Sequence, residues 1–219
     1  MSDRPLLVIG NRNYSSWSLR PWILAQHLEL ALDVHRIELD TPNFRSEALR
    51  HSPTGRVPVL IHGDLVIPES IAIMEYLSEL AEARGWPASR VQRAEARSVA
   101  AEMHGGFAAL RASYPMNIRA TQRRIAMTPA LAKDISRVSE ILERANLGHD
   151  EAPWLFGRYC AADAMFLPVA FRFKTYGMNG LSAEAAAYVE QATADPRAAE
   201  WVAMAHAEVE TLEQEEVGC

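Results

Sequence analysis

A Val57-Pro58 step at the mouth of a strand-like run, Val59-Leu60-Ile61, narrows the possible folds of this chain more than any other stretch, because Pro68-Glu69-Ser70 follows it and opens an apolar-periodic segment. Proline has no N–H to give a sheet ladder, so Pro58 stands before the strand and not within it. X-Pro bonds are also the peptide bonds that reach the cis form at low cost. Glu69 and Ser70 fall where the first backbone N–H groups of a helix lack partners. Gly55-Arg56-Val57-Pro58-Val59-Leu60 therefore presents an extended Val57 backbone near a helix N-terminus, which suits it to grip a short peptide as an added strand would.

Around that step, residues 1–82 alternate between a strand period and a helical period. Leu6-Leu7-Val8-Ile9 reads as a strand closed by Gly10; Leu19, Trp22, Ile23, Gln26 and Leu30 follow as a helix, with Pro21 in its first turn. Val34 to Leu39 alternates as a strand, and Phe44 to Arg50 makes a short helix. Two short strands, Val59-Leu60-Ile61 and Leu65-Val66-Ile67, flank the turn His62-Gly63-Asp64, and Ile71, Met74, Leu77 and Leu80 mark a further helix. The order β-α-β-α-β-β-α is thioredoxin-like, a mixed sheet with helices on its faces.

Gly85-Trp86-Pro87 breaks this pattern, and residues 90–219 show no convincing strand. Helices are expected at Val91–Arg111, at Pro129–Leu147 with Gly148 as its stop, at Ala161–Lys174 (apolar on most sides and so buried), at Ala183–Thr193, and at Asp195–Val209 behind the cap pair Asp195-Pro196. Trp201 reads as core and the acidic Glu208–Glu216 stretch as a solvated terminus. The fold class is thus an α/β thioredoxin-like N-terminal domain (1–82) followed by an all-α helical-bundle domain (90–219).

Composition excludes several functions. A net charge of −6 disfavours nucleic acid, which needs a basic footprint, and no basic amphipathic helix suits a membrane surface. No apolar run approaches a bilayer span, and the N-terminus leads into a strand-like run without a signal-peptide pattern. Cys160 and Cys219, far apart and one at the chain end, make no disulfide framework, which points to a reducing, cytoplasmic setting. His51, His62 and His149 lie in expected loops without ligand spacing, so no metal site is expected.

Three motifs carry candidate chemistry. Tyr14-Ser15-Ser16-Trp17-Ser18-Leu19-Arg20 joins the first strand to the first helix. Ser15 and Ser16 either cap that helix or offer a hydroxyl to an anion held at its N-terminus. A free thiol titrates near about 8.5, and lowering that by about two units requires roughly 2.7 kcal/mol in favour of the thiolate. A hydrogen bond to a charged group supplies roughly 1.5–3 kcal/mol and a helix end roughly 0.3–1 kcal/mol, so one Ser O–H at a helix end suffices without a metal. Val57-Pro58 is either a strand-entry proline or a backbone edge for a peptide ligand. Glu69-Ser70 either caps a helix or receives a carboxylate on Ser70 and the helix end, and an ammonium on Glu69.

Taken jointly, and in this order within one thioredoxin-like unit, these motifs resemble those of the soluble glutathione S-transferases over nearly the whole chain. Ser15-Ser16-Trp17-Ser18-Leu19-Arg20 is similar to the Ser-Ser-Cys motif of the zeta class, and the resemblance is to a bacterial member with that zeta-like motif. It implies the glutathione S-transferase fold, glutathione as co-substrate, Ser15 as the thiolate partner with Ser16 second, and Arg56, Val57, Pro58, Glu69 and Ser70 as glutathione-binding residues. It also implies a homodimer. Gly157-Arg158-Tyr159-Cys160-Ala161-Ala162-Asp163 resembles the family's structural capping box, with Cys160 in place of Ser or Thr as a weaker acceptor.

Trp17 stands where the zeta class has its cysteine, and residues 1–80 hold no cysteine, which disfavours thiol–disulfide exchange through an enzyme thiol. An electrophile pocket is expected between the domains, lined by Trp17 and by Met103, His104, Phe107 and Arg111 on one face of the Val91–Arg111 helix, with Met116 at the mouth. Met103 and Phe107 also fit a plain core. The expected activity is attack of a serine-held glutathione thiolate on a small electrophile. Isomerase or dehalogenase chemistry on the same site, and a non-catalytic interaction module on the same fold, are the alternatives.

Overall fold

The computed structural model describes residues 4–146 and 154–218. Strand β1 (Leu6–Ile9) pairs in parallel with β2 (Asp33–Arg36) and antiparallel with β3 (Val59–His62), which pairs antiparallel with β4 (Leu65–Ile67). The sheet order is β2-β1-β3-β4. Alternation along the central strands sorts the core into two layers, because successive side chains point to opposite faces. Leu7, Ile9 and Leu60 join the main core with Leu19 and Ile23 of α1 (Ser16–His27) and Ile73, Met74 and Leu77 of α3 (Ser70–Leu80). Val8 and Val59 face the other way, onto Ile37 and Ala48 of α2 (Phe44–Ala48). The two-residue turn after His62 puts Gly63 at φ 59°, where a side chain would be strained.

Helix α1 begins at Ser16, earlier than its apolar spacing indicates, so Pro21 lies inside the helix and not in its first turn. The Trp17 carbonyl consequently has no N–H four residues on to accept from. The expected helix Val91–Arg111 is two helices, α4 (Arg90–Gly105) and α5 (Ala108–Ser113). Gly106 is extended, Phe107 is left-handed, and the Leu110 N–H donates to Asp134 Oδ2 at 3.0 Å, so an acid from another helix caps the restart. Helix α6 runs Pro129–Leu142, with Thr128 accepting from the Leu131 N–H, and passes into a 3-10 turn at Glu143–Asn146. Leu147, Gly148, His149 and Cys219 lie outside the described residues.

Helix α7 (Ala161–Tyr176) is buried along nearly all its length, as its apolar composition requires. Its start is closed by the expected capping box: Asp163 accepts from the Cys160 N–H at 2.9 Å, from the Leu155 N–H at 2.9 Å and from Tyr188 Oη at 3.0 Å. Burial drives the Cys160 thiol well above its ordinary value, as expected for a small core residue. Helix α8 is Ala183–Thr193, and the expected Asp195–Val209 helix is a 3-10 turn, Pro196–Ala198, followed by α9 (Ala199–Ala207). No helix among the described residues is long and apolar enough to cross a membrane.

The sheet unit and the helical part are joined by α1, which packs on α7 and on the Pro196–Ala198 turn. Trp22 of α1 meets Trp201 of α9 at a ring distance of 5.1 Å. At the C-terminal end of α1, His27 Nε2 lies 2.5 Å from Asp195 Oδ2, both side chains nearly buried, with the His27 ring stacked on Tyr159. Burial alone would raise the Asp195 carboxyl; the bonds from His27 and the Arg197 N–H outweigh it and hold Asp195 below its ordinary value of 3.8. A carboxylate held low by the fold stabilises that fold above the ordinary value, and the contribution is lost as pH falls through the lower, folded-state value. Asp195→Ala is expected to cost about 2 kcal/mol at neutral pH. Its deficit against the native chain narrows as the medium is acidified below 3.8, as read by urea denaturation at a series of pH values.

Candidate functional site

The loop between β1 and α1 brings Ser15 and Ser16 to the floor of a cavity of about 520 Å³, walled by Tyr14, Trp17, Leu39, Phe44, Arg56 and Val57 from the sheet unit and by Ala108, Arg111, Ala112, Arg172 and Glu215 from the remainder. A second cavity of about 300 Å³ adjoins it and is lined by Pro58, Pro68, Glu69, Ser70 and His104. The two share Trp17, Arg56, Val57 and Arg111, so they form one continuous groove. The Val57-Pro58 bond is cis.

Ser15 occupies the N-cap position of α1, yet its hydroxyl makes no capping hydrogen bond. Its Oγ lies 2.7 Å from Ser18 Oγ, which accepts from the Gly10 N–H at 3.2 Å. Ser16 Oγ accepts from Arg172 Nη2 at 3.1 Å. At the smaller cavity, Ser70 is the first residue of α3, and its buried Oγ has no partner among the described residues. Glu69, half exposed, lies 4.0 Å from His104 Nε2.

The expected electrophile lining divides. Trp17 and Arg111 face both cavities, whereas His104 faces the smaller one, beside Glu69 and Ser70, and stands edge-on to Trp17 at 5.3 Å. Met103, Phe107 and Met116 are core residues that line neither cavity. The break at Gly106 turns Phe107 out of the helix, against Phe166 of α7.

Two further residues of the cavity wall are Arg172, and Glu215 from the acidic stretch whose sequence suggests a solvated terminus. A charge within the apolar run Phe171-Arg172-Phe173 was the available signal for the first. Arg172 donates to the backbone oxygens of Arg111 and Tyr114 as well as to Ser16, and burial pulls its pKa down to about 10 against the opposing pull of Glu215. Arg20 is fully buried; its Nε donates to the Met165 carbonyl, and its two terminal nitrogens have no acceptor among the described residues. Burial, then the charges of Arg172 and Arg111, lower its pKa well below the ordinary value. The guanidinium carbons of Arg20 and Arg111 lie 4.0 and 4.9 Å from the Trp17 ring centroid, so an indole replaces a counter-ion as their neighbour.

The acidic terminus is not a solvated tail. Glu208 accepts from the Arg12 and Asn13 N–H groups at 2.8 and 3.1 Å, and Glu210 accepts from Arg36 at 2.6 Å. Glu216 accepts from Tyr14 Oη and Asn117 Nδ2, both at 2.7 Å, and from Arg123 at 2.6 Å. Arg119 ties the Glu208 and Glu210 carbonyls to Tyr14 Oη. The carboxylates satisfy loop N–H groups that no strand or helix reaches, so residues 208–218 strap the serine loop in place. Among the described residues no group of His, Cys, Asp and Glu converges as a metal site.

Residues 14–80 match the family model for the glutathione S-transferase N-terminal domain. Over 70 residues the chain is 41% identical to glutathione S-transferase 1 of Dianthus caryophyllus, a match covering 29% of this chain and 28% of that protein. Over 65 residues it is 38% identical to dichloromethane dehalogenase of Methylophilus leisingeri, covering 28% of this chain and 23% of that protein. The match thus spans about a quarter of the length of these curated relatives. Among solved structures, a glutathione transferase homolog from Burkholderia gl BGR1, with bound glutathione, superposes with a TM-score of 0.71 at 25% identity, covering 94% of this chain and 100% of that one. Residues 14–80 thus match a glutathione S-transferase N-terminal domain, and the fold of the described residues is shared with solved glutathione transferases.

The strap makes the loop's stability measurable. Glu208→Ala leaves the Arg12 and Asn13 N–H groups without their acceptor, and is expected to destabilise the chain by about 2 kcal/mol in chemical denaturation. It is also expected to speed amide hydrogen exchange at those two positions.

Proposed function

We propose that this chain is a glutathione transferase in which Ser15 holds the glutathione sulfur as a thiolate for attack on a small electrophile. The observation that carries this reading is one groove with serine hydroxyls at one end and the unpartnered Ser70 Oγ at the other, joined along Val57. The γ-glutamyl carboxylate takes Ser70 and the N-terminus of α3, and its ammonium takes Glu69. Val57 exchanges backbone bonds with the cysteinyl unit, Pro58 sets the edge, and Arg56 takes the glycine carboxylate.

At the sulfur, Ser15 Oγ and Ser18 Oγ share a hydrogen bond in which either can donate; with Ser18 donating, the Ser15 O–H is left for the sulfur. Ser16, accepting from the Arg172 guanidinium, also keeps its O–H available and is the second donor. The enzyme contributes thiolate stabilisation and positioning; the thiolate then forms the carbon–sulfur bond to an acceptor in the larger cavity, and the acceptor's leaving group departs with the pair of electrons of the bond that breaks. Displacement of halide from carbon is a second reading of the same step, favoured by the similarity to a dichloromethane dehalogenase. We place the enzyme in the cytoplasm as a homodimer.

Ser15→Ala is expected to lower kcat with an activated aryl halide by about ten- to a hundred-fold, matching roughly 1.5–3 kcal/mol of thiolate stabilisation. Glutathione affinity by calorimetry stays within a few-fold, and the ultraviolet thiolate band of bound glutathione diminishes. Native turnover in both the Ser15→Ala and Ser16→Ala variants would reject serine activation. Absence of glutathione binding would reject the reading altogether in favour of an interaction module.

A further inference from the structure

The larger cavity has three arginines in its wall, Arg56, Arg111 and Arg172, and a single acid among the described residues, Glu215. Glu215 ends the 3-10 turn Glu213–Glu215 within the strap. Its neighbours anchor it: Leu212 is buried, and Glu216 is bonded to Tyr14, Asn117 and Arg123. The Glu215 carboxylate itself has no hydrogen bond or ion pair to any described residue; it lines the same cavity as Arg172, and burial raises its pKa above the ordinary value while the Arg172 charge opposes that rise. Arg172 in turn gives its hydrogen bonds to neutral oxygens, the carbonyls of Arg111 and Tyr114 and the Ser16 hydroxyl, and its Nε has no partner among the described residues. Glu215 is therefore a carboxylate carried to the cavity wall by the strap, on the same wall as a guanidinium that has no ion pair among the described residues.

The charges of the loaded cavity then balance. On the reading above, the glycine carboxylate of glutathione answers Arg56; Arg111, which lines the same cavity as Ser15, then answers the thiolate charge, which leaves Arg172 to Glu215. Arg20 lies behind Trp17 and does not line the wall. An acceptor that brought its own carboxylate would find no unanswered cation and would meet Glu215 as a like charge, at a cost in desolvation and repulsion. We propose that Glu215 is a specificity-determining residue that fills the anion position of the acceptor cavity, so that the site takes uncharged electrophiles and turns away carboxylate-bearing ones. This rests on the transferase reading.

The test is a matched pair of aryl halides, para-chloro-meta-nitrobenzamide and para-chloro-meta-nitrobenzoate, each presented with saturating glutathione to the native chain, to Glu215→Gln and to Glu215→Ala. Their intrinsic reactivities cancel in the comparison between enzymes. The benzoate-to-benzamide ratio of kcat/KM is expected to rise about ten-fold in both variants, through a lower KM for the benzoate. A ratio that stays at the native value, in variants that still bind glutathione by calorimetry and still turn over the benzamide, overturns the role of Glu215 and leaves the transferase reading standing. Failure of the native chain to turn over either halide overturns the transferase reading, and this inference with it. The glutamine variant keeps the shape of the side chain and the alanine variant removes it; a ratio that moves in the alanine variant alone points to lost bulk and also overturns the charge assignment.

Discussion

A guanidinium buried in the middle of α7 joins the two halves of the site. Arg172 is nearly buried, so most of its donors must find protein acceptors or remain unsatisfied at a cost of about 1–3 kcal/mol each. The acceptors it finds belong to separate parts of the fold: Ser16 at the start of α1, Arg111 on α5, and Tyr114 just beyond α5. One side chain thereby sets the distance between the serine loop and the opposite wall of the cavity. The break between α4 and α5 belongs to the same arrangement, because it brings the end of α5 within reach of Arg172 and puts Arg111 against Trp17.

The like charges around that point require an explanation. Arg20, Arg111 and Arg172 are mutually repulsive, and two of them are fully buried. Three features make the cluster tolerable. The Trp17 ring offers its negative face to two of the guanidiniums, backbone carbonyls accept from all three, and Glu215 supplies a carboxylate from the strap. The surplus of positive charge that remains suits the thiolate proposed to bind there. Trp17 has a structural purpose here, so its presence at a position where a related class has cysteine is not a loss of function by itself.

Much of the site could be read from local signals. Ser15, Ser16, Val57, Pro58, Glu69 and Ser70 all lie at ends of strands and helices, where orphaned backbone groups and a proline leave marks in the sequence. Met103 and Phe107 fit a pocket and a core alike in the sequence, because apolar residues of the two have the same composition; the fold puts both, and Met116, in the core. The acidic terminus was misread because its partners, Arg12, Asn13, Arg36 and Arg119, are distant in the chain. No periodicity connects a carboxylate to a loop N–H across that separation.

The amino-acid sequence by itself determined the order of strands and helices in the first eighty residues, the helical character of the remainder, and the residues that stand at the turn and cap positions. These depend on interactions within a few residues, where period, proline geometry and unpaired N–H groups act directly. Tertiary structure alone decided that Arg172 lies under the serines, that His104 joins Glu69 at the smaller cavity, and that Glu215 enters the larger one. Those placements depend on where helices cross and where the chain end docks, and such contacts are fixed by desolvation and charge pairing between residues that have no neighbour relation in the sequence.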